Sequence, residues 1–192
     1  IGVWLSGLPQ IHQKGWGRVS IMSQHSSPIS SVAVKGSLIA TAGYDNKVIL
    51  WDSNTNLPLA RGFHDHLANH CVFSPDGKQL ASGGSDCTVR LWSIPELKLL
   101  KVFSDAQDDV ERVAFSPNGR LLASVSRDAK LRIYNLHDGS DIPIIGSCHE
   151  VDVLCVEWMS DYELVTSGDD GCLVLWSIDT QNSELKYKKL DL

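Results

Sequence analysis

Residues 79–92, QLASGGSDCTVRLW, hold the pattern on which the chain is built: a strand of small residues reaching Ser82, a Gly-rich turn carrying Asp86, and a second strand closing on Trp92. The same phrase occurs three more times. LIATAGYDNKVILW supplies Thr41, Asp45 and Trp51; LLASVSRDAKLRIY supplies Ser124, Asp128 and Tyr134; ELVTSGDDGCLVLW supplies Thr166, Asp170 and Trp176. In every copy the hydroxyl residue stands ten before the aromatic and the Asp six before it. Successive Asp residues are 41, 42 and 42 positions apart, a period that marks a repeat protein.

Working outward, the residues between these phrases read as short antiparallel strands joined by tight turns. The first full unit, from His25 to Trp51, predicts strands near 29–34, 38–41 and 47–51, with Gly36 and the 43–46 segment supplying turn geometry. In the second and third units SPDG (74–77) and SPNG (116–119) carry Pro at the first corner of a type I turn and Gly at its end. The fourth unit, VLCVEWMSDYEL, lacks both residues and predicts a different loop. Nothing in the pattern has the 3.6-residue period of a helix. Residues 1–24 read as the end of a preceding unit, with Trp4 at the aromatic position and an outer strand over 18–23; 25–184 hold four units; 185–192 read as the outer strand of the last.

Bulk properties narrow the function classes. At 192 residues and 43% hydrophobic, the chain has the material for a substantial core. A net charge of −6 argues against a surface built chiefly for nucleic acid. The five cysteines are odd in number and form no CxxC pair, so they read as free thiols of a reducing compartment. No apolar run reaches the ~20 residues of a membrane helix, and the expected location is intracellular, cytoplasmic or nuclear.

The units resemble WD repeats, the four-stranded blades of a β-propeller. In that family a His before the innermost strand, a Ser or Thr, the turn Asp and the strand Trp form a buried hydrogen-bonded tetrad. The resemblance assigns His25, Thr41, Asp45 and Trp51 to one tetrad, His64, Ser82, Asp86 and Trp92 to a second, and His149, Thr166, Asp170 and Trp176 to a third. The remaining unit keeps Ser124 and Asp128, but Ala106 stands where the His is expected and Tyr134 replaces Trp, so this blade is expected to be held less tightly. The family's WD dipeptide survives only as Trp51-Asp52, and its GH pair is absent. The fold implied is an all-β propeller of four four-stranded blades, with partial blades at both ends.

Such a tetrad makes sense on physical grounds alone. An Asp in a tight turn accepts from backbone N–H groups and from a His, and the His in turn is expected to donate to a hydroxyl that meets the indole N–H, leaving the buried polar atoms satisfied. His, Ser and Asp also compose a catalytic triad, but nucleophilic catalysis does not require them in each repeat. No nucleotide-binding or metalloprotease motif is present, so no catalytic residue, cofactor or metal is assigned. One alternative is a metal site around His66 and His70, flanked by Asp65 and Cys71. Period-two alternation opposes it by sending His70 and Cys71 to opposite faces of one strand.

Function then falls to surfaces. The resemblance implies a rigid interaction platform, a scaffold or sensor, whose binding face gathers the residue before each turn Asp and the loops before the inner strands. Those residues are Tyr44, Ser85, Arg127 and Asp169, with His66, Asp108, Asp109 and Asp152; Asp105, Glu111 and Glu150 extend an acidic patch whose complement is a basic segment of a protein or peptide. An accessory propeller of an enzyme is the other functional class. Because propellers of this family close with seven or eight blades, four units leave two open faces. The blades that cover them are expected on the same chain, on another chain or on a second copy.

Overall fold

The computed structural model describes residues 24–137, 143–147, 149–180, 182 and 184–190; the sequence reading of residues 1–23 lies outside this set. Among the described residues, sixteen strands form four antiparallel sheets of four, each a simple meander. The first sheet holds β1 (Ile29–Lys35), β2 (Leu38–Gly43), β3 (Lys47–Asp52) and β4 (Leu57–Phe63), and the second β5 (Ala68–Phe73), β6 (Gln79–Gly84), β7 (Val89–Ser93) and β8 (Leu99–Phe103). The third holds β9 (Val110–Phe115), β10 (Leu121–Ser126), β11 (Lys130–Asn135) and β12 (Ile144–Ser147), and the fourth β13 (Val153–Trp158), β14 (Glu163–Gly168), β15 (Leu173–Asp179) and β16 (Glu184–Leu190). The outer strands β4, β8 and β12 were not located in the sequence, because their pattern is mixed and half-exposed. β16 is the fourth strand of the last sheet, so the described C-terminal residues complete a blade.

Turn chemistry joins the strands as their residues dictate. In the SPDG and SPNG turns the N–H of Gly77 donates to Ser74 O and that of Gly119 to Ser116 O, and both glycines take positive φ, near 73° and 72°. The fourth blade turns instead through Ser160 and Asp161, where the N–H groups of Met159 and Ser160 both donate to Glu163 O.

The sheets pack face to face in chain order. Strand β1 lies against β5, β5 against β9 and β9 against β13. Each joint has its own core: Ala40, Val48, Leu50, Leu80 and Trp92 between the first two sheets; Val89, Leu91, Leu122 and Tyr134 between the second and third; Ala123, Leu131, Ile133, Leu164 and Trp176 between the third and fourth. Leu80, Leu122 and Leu164 are fully buried equivalents. Each contributes roughly 1.5–3 kcal/mol relative to exposure. Small residues on the second strand permit close approach: a Cβ at Gly83 would lie 2.6 Å from Val110 Cγ1 in the next sheet.

Candidate functional site

Three of the four blades carry the same side-chain chain. In the first, His25 Nδ1 lies 2.8 Å from Asp45 Oδ1, His25 Nε2 lies 2.7 Å from Thr41 Oγ1, and the Trp51 indole N–H donates to that hydroxyl at 2.9 Å. His64, Ser82, Asp86 and Trp92 repeat this with 2.9, 2.7 and 2.9 Å, and His149, Thr166, Asp170 and Trp176 with 3.0, 2.8 and 2.8 Å. With Nδ1–H directed at the carboxylate, a neutral ring accepts the hydroxyl proton at Nε2, and the hydroxyl oxygen accepts from the indole. The hydroxyl is therefore the donor to the ring, the reverse of the direction expected from sequence.

The backbone completes each carboxylate. Asp45 accepts from the N–H of Ser26 and Asp86 from that of Asp65, the residue after the His in each case. Burial works against ionisation of Asp45, Asp86 and Asp170. Hydrogen bonds from the paired His and from backbone N–H groups outweigh it, and hold these carboxyls below the usual carboxylate range. A glycine makes room for each imidazole: a Cβ at Gly43, Gly84 or Gly168 would come within 2.6–2.8 Å of the His Nδ1.

The third blade solves the same problem differently. The N–H of Gln107 donates to Asp128 Oδ2 at 3.0 Å, which identifies Ala106 as the structural equivalent of the missing His. Arg132 is the cation that Asp128 faces instead. It is 1% exposed, reaches Asp128 through Nη1 at 3.0 Å and Nη2 at 2.5 Å, and donates to Asp105 O at 2.9 Å. The glycine needed beside an imidazole is here Ser126, whose hydroxyl donates to Asp108 O. Burial opposes the Asp128 charge, but the guanidinium and the Gln107 N–H prevail and lower its pKa.

The expectation of a loosely held blade meets a bidentate ion pair in place of the imidazole's bond to the Asp. Its cost is local: among the described residues, Ser124 Oγ and Arg132 Nε, both buried, have no hydrogen-bond partner. Burial also pushes the Tyr134 phenol up to about 12. Arg132 was missed in the sequence. The available signal was an Arg two before the aromatic, where the first and fourth units have Ile49 and Val174, in the one unit that had lost its His. Arg90 occupies the same position in the second blade and makes matching contacts, to Asp86 Oδ2 at 2.9 Å and to Phe63 O at 2.7 Å, but beside an intact His64 it holds one Asp86 oxygen and also bridges exposed Asp65.

The residues before the turn Asp all take one backbone position. The N–H of Tyr44 donates to Pro28 O, that of Ser85 to Leu67 O, that of Arg127 to Asp109 O and that of Asp169 to Asp152 O, each at 2.8–3.0 Å. Each therefore sits beside the loop preceding its own sheet's first strand, along one rim of the arc. Tyr44, Arg127 and Asp169 are exposed, as are His66 and Asp108; Ser85, Asp109 and Asp152 are half-buried. Ser85 is tied down, with Oγ donating to Asp109 Oδ2 at 2.8 Å and accepting from Asn69 at 3.1 Å.

The acidic patch is less uniform than the sequence implied. Arg127 lies inside it, its Nε paired with Glu111 and 3.9 Å from Asp152. Asp108, Asp105, Glu150 and Asp169 remain on the exposed side.

His70 and Cys71 diverge as alternation requires. His70 Nδ1 faces the Val113 N–H of the following blade at 3.5 Å, whereas Cys71 packs beside Ser31 of the preceding one. Burial, reinforced by the charge of Arg112, lowers the His70 pKa to about 4. Among the described residues no three His, Cys, Asp or Glu side chains converge as a metal site would need.

Four radial, meandering sheets stacked on their faces, each locked by an Asp-centred polar chain, define an arc of β-propeller blades. The family model for the WD domain, G-beta repeat, matches residues 16–52, 59–93, 97–135 and 143–177, and the chain belongs to that family. Among solved structures, the one titled "Structure of U3-55K" superposes with a TM-score of 0.76 at 24% identity, covering 85% of this chain and 52% of that one. Curated relatives include nuclear distribution protein PAC1 of Arthroderma benhamiae, 35% identical over 82 residues that span 42% of this chain and 17% of that protein. Ribosome assembly protein 4 of Chaetomium thermophilum is 38% identical over 66 residues, 33% of this chain and 13% of that protein. Transducin beta-like protein 3 of Rattus norvegicus is 32% identical over 110 residues, 46% of this chain and 14% of that protein. The chain spans under a fifth of the length of these curated relatives. WD-repeat proteins are in general protein-interaction scaffolds, and the relatives are named for assembly and distribution rather than for a reaction.

Proposed function

We propose that this chain is the interaction platform of a larger propeller protein, acting inside the cell in the cytoplasm or nucleus. The rim bearing Tyr44, Ser85, Arg127 and Asp169 is its binding face, and a basic segment of a protein or peptide is its ligand. The observation that carries this reading is the common N–H anchor of those four residues, which fixes successive loops at one height. Rigid loops bind with little ordering cost. Asp108 and Asp169 give the rim exposed negative charge, and Arg127, held by Glu111, divides that charge into two sub-patches. Further blades, from this polypeptide or another, complete the ring.

A Lys/Arg-rich peptide and its Glu-substituted counterpart, titrated calorimetrically, test the proposal. The basic peptide is expected to bind, with affinity falling steeply as salt rises. Changing Asp108 and Asp169 together to Asn weakens binding about tenfold, equivalent to ~1.4 kcal/mol. Equal binding of the acidic peptide, or no effect of the double change, would exclude an electrostatic rim.

A further inference from the structure

At each joint, one residue of the outer strand of a blade meets the aromatic of the next blade. Cross-strand register identifies it as the partner of the residue three before the aromatic: Gly62 opposite Val48, Phe103 opposite Val89, Gly146 opposite Leu131 and Leu190 opposite Leu173. At the first and third joints it is Gly, because the facing residue is Trp. A Cβ at Gly62 would lie 2.8 Å from Trp92, and one at Gly146 would lie 2.5 Å from Trp176. At the second joint the facing residue is the smaller Tyr134, and Phe103 fills the space with ring centroids 4.1 Å apart. Outer-strand residue and aromatic thus vary in compensation: Gly with Trp, a large side chain with Tyr.

Two residues earlier on the outer strand the pattern extends. Ala60 and Ile144 pack into their joints, whereas the second blade has Lys101, stacked over Phe103 at 4.7 Å. The fourth blade has Lys188 and Leu190 at these two positions, a Lys-x-large pattern like that of the second.

The fourth blade is also the one whose forward face is open. Val165, Leu173 and Leu175 are only half-buried, while their third-blade equivalents Ala123, Leu131 and Ile133 are at most 1% exposed. At the other end of the arc, Val32 and Val34 are 61% and 64% exposed where their equivalents Cys71 and Phe73 are buried.

Resting on the reading that further blades complete the ring, we propose that the blade docking on β16 is a WD-type blade whose aromatic position holds Tyr or a smaller residue in place of Trp. The same geometry argues against a second copy of this arc as the occupant. Head-to-tail closure would set Leu190 against the copy's Trp51, where the internal joints leave no room for even a methyl group. Leu190 therefore selects its neighbour by size, as a repulsive element as well as an attractive one.

The test fuses an additional copy of residues 104–147 after Leu192 of the full chain, once with Tyr134 retained in the added copy and once with Tyr134→Trp in it. Docking of the Tyr copy is expected to raise the urea midpoint by on the order of 1 M. It should also slow alkylation of Cys155, on the open face, severalfold by site-resolved mass spectrometry. The Trp copy should change neither in the parent chain, and in a Leu190→Gly background it should dock as the Tyr copy does in the parent. Equal docking of both copies on Leu190, docking of neither, or sedimentation of the unextended chain as a two-copy ring overturns the proposal. Because these readouts do not involve the rim, failure of basic-peptide binding would leave them untouched.

Discussion

Arg132 shows how a single lost residue is made good within one blade. With Ala106 in place of a His, Asp128 would be a carboxylate only 7% exposed and without a cationic partner; the guanidinium supplies the charge and Ser126 fills the space a glycine leaves elsewhere. Substituting Arg132→Leu strands that carboxylate, and removal of one member of a buried pair costs about 3–5 kcal/mol. Urea denaturation is expected to show a loss of that order, and the double variant Arg132→Leu, Asp128→Asn should lose less than the sum of the two single changes. Restoring the imidazole alone, Ala106→His, is expected to destabilise, because Ser126 carries a side chain where the other blades need glycine beside the ring, and Arg132 already holds both oxygens of Asp128. Adding Ser126→Gly and Arg132→Ile should recover most of the loss. The three positions are one coupled unit, and a triple variant no more stable than Ala106→His alone would show that they are not.

Strands and blades carry the second level of specification. The joint between the second and third blades is expected to behave as a size-matched pair. Tyr134→Trp drives an indole into Phe103 and should cost about 1–3 kcal/mol through overpacking, while Tyr134→Trp with Phe103→Gly reproduces the Trp-on-Gly joint and should regain most of it. A double-mutant cycle in urea reads the coupling directly; additive effects would mean the two rings do not share one space. The sheets themselves were legible in the sequence, because the Ser/Thr, Asp and aromatic positions recur at fixed spacing and the strands that carry them are near-continuous runs of small and apolar residues, buried on both faces. Outer strands were not, since β4, β8 and β12 face neighbours of differing size and solvent at once, and their residues follow the next blade rather than their own. The tetrad positions could be read for the same reason as the inner strands. Arg132 could not, because a cation four residues after the Asp is also present in the second blade, where it stands beside an intact His64. Nor could the division of the acidic rim by Arg127, which depends on a loop-to-loop distance that the period does not encode.

Across the whole molecule, the groups whose folded pKa values are lowered set how stability responds to acid. His70 is neutral in the fold with a pKa of about 4, against 6.5 ordinarily, because it is buried and faces Arg112. Between those values the unfolded chain binds more protons than the folded one, so stability rises with pH there and is lost as pH falls from about 6.5 toward 4. At 1.36 kcal/mol per pH unit, the effect is on the order of 3 kcal/mol. Asp45, Asp86, Asp128 and Asp170 act in a lower window. Their folded pKa values are lowered, so their contribution is complete above the unfolded carboxylate value near 3.9 and is lost below it as each is protonated. Urea midpoints measured from pH 7 to pH 3 are therefore expected to fall in two stages. His70→Gln keeps an acceptor facing the Val113 N–H but removes the titration, so the upper stage should shrink and the lower one persist. If the upper slope survives that substitution unchanged, His70 is not the group whose protonation opens the joint between the second and third blades.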